Sequence, residues 1–167
     1  MDMYDVEDVV RALSKLSYEE ALAYWIEGER EEAKFYRELA RRTRDLKLGE
    51  ELAETFERLS RDSLEHATEL GIHYERKYGK KPKVDIPPIE VLPVINEFER
   101  ADQLEEVLRV AMESELIAHE SYRLLAERVE DENLRRLYSR LAEVERKHYE
   151  ALKREYEKLK RGGYNGG

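Results

Sequence analysis

The chain has 167 residues and a formal net charge of −9, and charged residues make up 41% of it. This acidic balance argues against nucleic acid or an anionic membrane surface as a partner, and no apolar run reaches the roughly 18 residues of a transmembrane helix. The chain has no cysteine, which excludes disulfides, thiol catalysis and cysteine-bound metal within it, and its acidic start lacks a signal-peptide pattern, which predicts a cytoplasmic protein.

Apolar residues recur at helical spacing over most of the chain, which predicts one all-α domain over residues 1–161. Ser17 and Glu20 have the spacing of a capping box and indicate a strong helix start. In chain order, the predicted segments are a short helix at about 5–16, helix A at about 18–44, helix B at about 49–78, a connector at 79–100, helix C at about 102–130, helix D at about 132–161 and a flexible tail at 162–167.

The connector between helices B and C indicates the connectivity of the bundle. All four prolines of the chain fall within residues 79–100, which argues against a helix there. In extended form this segment spans about 70 Å, whereas a helix of about 28 residues is about 42 Å long. The short A–B and C–D breaks predict two antiparallel hairpins. Two hairpins joined by a long crossover are the connectivity of a ferritin-like four-helix bundle.

Several ionisable residues fall on helix faces that are otherwise apolar. A buried carboxylate costs several kcal/mol unless it is paired or binds metal, so a set of them predicts a shared cation. The two halves of the chain form a weak repeat, and each hairpin brings its Glu and its His to one level along the bundle. The alternative is that the helix phases are misjudged and these side chains are solvated. The set comprises Glu29, His66, Glu115, Glu145 and His148.

Glu145 and His148 form a Glu-x-x-His motif, whose spacing places both side chains on one helix face. With this motif the chain resembles the rubrerythrin-like branch of the ferritin-like superfamily over about residues 18–160. That pattern has Glu on helix A, Glu-x-x-His on B, Glu on C and Glu-x-x-His on D. The resemblance implies two bound iron ions, with one ion, manganese or zinc as alternatives. It assigns the ligands to Glu29, His66, Glu115, Glu145 and His148.

One position departs from the family pattern, because Ser63 stands where the helix B Glu is expected. Asp62, Glu32 and His119 each lie one turn from a predicted ligand. They are candidates to replace the carboxylate that is missing from helix B. If none does, one metal position is weakened and Ser63→Glu should raise the metal content. If one of them already supplies the contact, the same substitution should crowd the site.

The resemblance implies an oxidoreductase that reduces peroxide or oxidises ferrous iron. The chain has no cysteine for a rubredoxin-like module, so a separate protein would donate the electrons. A homodimer is expected, since such bundles commonly pair. Two other interpretations stay open: a protein that holds metal without turnover, and a structural bundle with a degenerate site.

Overall fold

The computed structural model describes residues 6–83 and 98–162, apart from the side chain of Val9. These residues form α-helices and one short 3₁₀ turn, without any β-strand, so the prediction of an all-α bundle is confirmed. Most of the predicted connector and tail lie outside the described residues. The helices are α1 (Val6–Leu13), α2 (Tyr18–Asp45), α3 (Glu50–Tyr78), α4 (Leu104–Arg128) and α5 (Glu132–Lys160).

Helix starts and ends follow local side-chain chemistry. Ser17 Oγ accepts a hydrogen bond from the Glu20 amide, and the Glu20 carboxylate accepts one from the Ser17 amide, which completes the predicted capping box. Asp131 caps α5 by accepting from the Leu134 amide. α3 begins after Gly49 and ends at Gly79, both at positive φ, which glycine adopts without steric cost.

α4 begins at Leu104, two residues after the predicted start of helix C at about 102. A 3₁₀ turn over Ala101–Gln103 precedes the helix. The Gln103 side chain accepts hydrogen bonds from the amides of Glu99 and Arg100. Asp102 is exposed and pairs with the Arg100 guanidinium instead. The longer amide side chain therefore folds back to the preceding backbone and does the capping.

Contacts at the two ends of α2 fix the direction of the chain. Lys80, just after α3, pairs with Glu19 at the start of α2, whereas the carbonyl of Phe98, just before α4, accepts from Arg42 near the end of α2. The chain thus leaves α3 at one end of the bundle and enters α4 at the other. This is the arrangement expected for two antiparallel hairpins joined by a long crossover.

In the part of the chain that the structure describes, the core consists of two apolar clusters, one at each end of the bundle. The first surrounds Trp25 on α2 and Tyr138 on α5, and includes Leu13 of α1, whose carbonyl accepts from the Tyr138 hydroxyl. The second surrounds Phe56 on α3 and Leu108 on α4. Acidic or imidazole side chains lie between the clusters along the sequence of every long helix, buried on α2, α4 and α5 and partly buried at His66 on α3. The bundle therefore has a polar middle layer between two apolar ends.

None of the helices within residues 6–83 and 98–162 has the length and apolar character that a membrane crossing requires.

The capping box generates a stability prediction. Ser17→Ala removes the side-chain acceptor for the Glu20 amide, so we expect the free energy of unfolding to fall by about 1 kcal/mol. Denaturant unfolding of the metal-free protein measures the change. Ser14→Ala is the matched control, because Ser14 is exposed and its hydroxyl only donates to the Arg11 carbonyl. Equal loss in both variants would contradict a specific role for the cap.

Candidate metal centre

Four ionisable side chains meet in the middle layer of the bundle. One potential ligand atom from each lies within 4.8 Å of those of the others, and all four residues are buried. Oxygen and nitrogen ligands bind divalent ions at roughly 2.0–2.3 Å, so ligand atoms on opposite sides of an ion are about 4.0–4.6 Å apart. The spread of the cluster is therefore close to the diameter of a metal coordination shell. Its members are Glu32 on α2, Glu115 on α4, and Glu145 and His148 on α5.

The imidazole of His148 lies among the three carboxylates. Its Nδ1 is 3.4 Å from Glu32 Oε1, 3.8 Å from Glu115 Oε2 and 3.9 Å from Glu145 Oε2. Burial lowers the pKa of His148, but the nearby carboxylates, Glu32 foremost, outweigh burial and raise it to about 10. In this arrangement an imidazolium proton neutralises part of the acidic charge that a metal cation would otherwise neutralise.

The carboxylates of the cluster have unequal proton affinities. Burial raises the pKa of Glu32, but the His148 charge and hydrogen bonds from its neighbours outweigh burial and lower it to about 2. Burial and then the charge of Glu32 raise the pKa of Glu115 well above its ordinary value. Glu32 therefore carries negative charge, and its charge favours the protonated form of Glu115. Carboxylates this close cannot all ionise without a compensating cation.

Glu29 and His66 form a pair that adjoins the four-residue cluster. His66 Nδ1 lies 3.4 Å from Glu29 Oε2 without an aligned hydrogen bond, and both atoms are buried and otherwise unpartnered. Burial raises the pKa of Glu29, the nearby His66 opposes this, and the charge of Glu32 raises the pKa further. Unsatisfied buried polar atoms are rare, and here they belong to types that bind metal. The pair fits a second position beside the four-residue cluster.

Aromatic side chains orient two of these carboxylates. The Tyr36 hydroxyl donates to Glu115 Oε1 at 2.6 Å, and the Trp25 indole donates to Glu29 Oε1 at 3.1 Å. In each case the other oxygen has no hydrogen-bond partner and can face a cation. The i, i+4 spacing from Trp25 to Glu29 is the signal that could have revealed this contact.

Two candidate residues lie outside the cluster. Asp62 is exposed, because the helix turns it away from the buried face that carries Ser63. His119 is half-buried, and its Nδ1 lies 2.8 Å from the Ala142 carbonyl, so it binds the backbone of the neighbouring helix. The structure therefore brings neither residue to the position that Ser63 leaves without a carboxylate. Glu32, the third candidate, is a member of the four-residue cluster.

Comparisons with known proteins identify the family of this chain. A family model described as rubrerythrin matches residues 20–156, so the chain belongs to the rubrerythrin family. A solved structure of a hypothetical protein from Pyrococcus furiosus is similar, with 32% sequence identity and a TM-score of 0.72. That match covers 91% of this chain and 96% of the other chain. No match was found among curated proteins.

The unbalanced charge of the middle layer generates a metal-linkage prediction. Bound metal should stabilise the native state by mass action, by about 2.7 kcal/mol at a free concentration near 100 times Kd. For a chain of this size that corresponds to a rise in Tm of roughly 5–10 °C. Thermal melts of chelator-treated protein, with and without ferrous iron under anaerobic conditions, measure the rise. An identical Tm in both samples would contradict metal binding in the core.

Proposed function

We propose that this member of the rubrerythrin family is a metal-dependent oxidoreductase. It would hold two iron ions between its helices, and reduce peroxide or oxidise ferrous iron with electrons from a separate donor. The observation that carries the proposal is the convergence of four buried metal-ligating groups from three helices, together with an adjoining Glu–His pair. Mixed carboxylate and imidazole donors suit iron or manganese.

The proposed ligands fall into two groups, one for each part of the metal centre. Glu32, Glu115, Glu145 and His148 would hold one part of the centre, and Glu29 with His66 the other. Bound iron would supply the two electrons that reduce peroxide to water, one from each ferrous ion. Tyr36, whose pKa is raised well above its ordinary value by burial and by Glu115, stays protonated and keeps the Glu115 carboxylate in place.

Access to the centre differs between its two sides. The His66 side chain is 27% exposed, whereas the side chains of Glu32, Glu115 and His148 are at most 5% exposed. Peroxide would therefore reach the centre at the Glu29–His66 side. The enclosed side would exclude water and keep the carboxylates in a low-dielectric setting, where their interaction with a cation is strong.

A second function, metal holding without turnover, is favoured by the burial of the four-residue cluster. Enclosed sites keep ligands but restrict the access of substrates. The two functions differ in one measurement: with a reductant present, the iron-loaded protein consumes many equivalents of peroxide per iron only if the centre turns over.

A charge-removing substitution at Glu145 tests the proposal. Glu145→Gln keeps the shape of the side chain but removes one anionic ligand, so we expect metal affinity to fall at least about 100-fold, since loss of an outer-shell partner alone costs 10–100-fold. Elemental analysis gives the metal per chain, and stopped-flow absorbance gives the peroxide-dependent oxidation of bound ferrous iron.

Glu143→Gln is the matched control on the same helix, because Glu143 is exposed and pairs with Arg146. Wild-type behaviour in both variants would contradict the assigned centre. A wild-type protein that takes up no metal at all would favour the structural bundle over either metal function.

A further inference from the structure

Position 63 breaks the internal symmetry of the bundle. Glu145 lies three residues before His148 on α5, and the equivalent position before His66 on α3 is Ser63. Ser63 is fully buried, so it faces the core as a metal-binding residue there would. Its side chain is short and neutral and cannot supply an anionic ligand.

Glu32 reaches from α2 towards this position. The Ser63 hydroxyl donates a long hydrogen bond of 3.5 Å to Glu32 Oε2, while Glu32 Oε1 lies 3.4 Å from His148 Nδ1. The charge of Glu32 also acts on Glu29. The Glu32 carboxylate therefore lies beside Ser63, with one oxygen towards the Ser63 hydroxyl and the other towards His148. The carboxylate of a glutamate at position 63 would occupy this same space.

We propose that the carboxylate expected on α3 has been transposed to α2, where Glu32 supplies it. The inference rests on the proposed metal function of the centre. The small Ser63 side chain leaves room for the Glu32 carboxylate, and the Ser63 hydroxyl donates a hydrogen bond to one of the Glu32 oxygens. In this arrangement the centre is complete, and Ser63 is not a defect. The other two candidates do not serve, because Asp62 is exposed and His119 binds the Ala142 carbonyl.

The transposition predicts how substitutions at positions 32 and 63 should combine. Ser63→Glu places a second carboxylate against Glu32, which adds both overpacking and like-charge repulsion. Glu32→Ala removes the ligand and leaves the space empty. The double variant Glu32→Ala/Ser63→Glu returns one carboxylate to the centre, from α3. We expect each single substitution to lower Mn²⁺ affinity at least about tenfold, and the double variant to recover most of that loss, since residues in contact are not additive.

The experiment titrates metal-free protein with Mn²⁺ by calorimetry and measures metal per chain after loading with ferrous iron. Melts of the metal-free variants show that each one folds. Glu32→Gln, which keeps the side-chain volume, replaces Glu32→Ala if the latter does not fold. Controls are Glu31→Gln, next to Glu32 but paired with Lys34 at the surface, and Asp62→Asn on α3. Both should bind metal like the wild type.

Three results would overturn the transposition while leaving the metal function in place. These are wild-type affinity in Glu32→Gln, a higher metal content in Ser63→Glu, and a double variant no better than Glu32→Ala alone. A wild-type protein that binds neither Mn²⁺ nor ferrous iron would instead remove the proposed function itself, and the transposition with it.

Discussion

The dominant constraint on this bundle is the burial of acidic groups in its middle layer. Glu29, Glu32, Glu115 and Glu145 are each less than 5% exposed, and moving an ionised carboxylate out of water costs several kcal/mol unless it is compensated. A proton on the His148 imidazole and hydrogen bonds from Tyr36 and Trp25 offset part of this cost. The two apolar clusters, one on each side of the layer, must supply the rest.

Helix phase explains which residues reach this layer. At about 100° per residue, His66 is rotated roughly 60° from Ser63 around α3, and Asp62 roughly 100° in the same sense. Ser63 is buried, His66 is partly exposed and Asp62 is exposed, which follows the order of these angles. Asp62 shares a helix face with His66, but His66 already stands at the edge of the core, so the face they share turns towards solvent.

The fold class and family were predictable because they depend on regularities that extend over the whole chain. These are the helical spacing of apolar residues, the clustering of the prolines, and a Glu and a His at the same height in each hairpin. The burial of Glu29, Glu115 and Glu145 was predictable for the same reason. The role of Glu32 was not, because Glu29 and Glu32 are only about 60° apart on α2 and both fit its broad buried face. Which carboxylate extends across the core depends on the space left by Ser63, and this is a tertiary property. The hydrogen bond of His119 to the Ala142 backbone has no signal in the sequence either.

The division of the core into two apolar ends has a consequence for local unfolding. Regions of a protein open in cooperative units whose stability follows their buried apolar contacts. A layer of poorly compensated charge between the two clusters contributes little cohesion, so amide hydrogens near Leu22 and near Leu52 would belong to separate foldons. Cation binding in the layer would join the four long helices at mid-height and merge the two foldons into one. Hydrogen exchange would then slow at both ends of the bundle, far from any ligand.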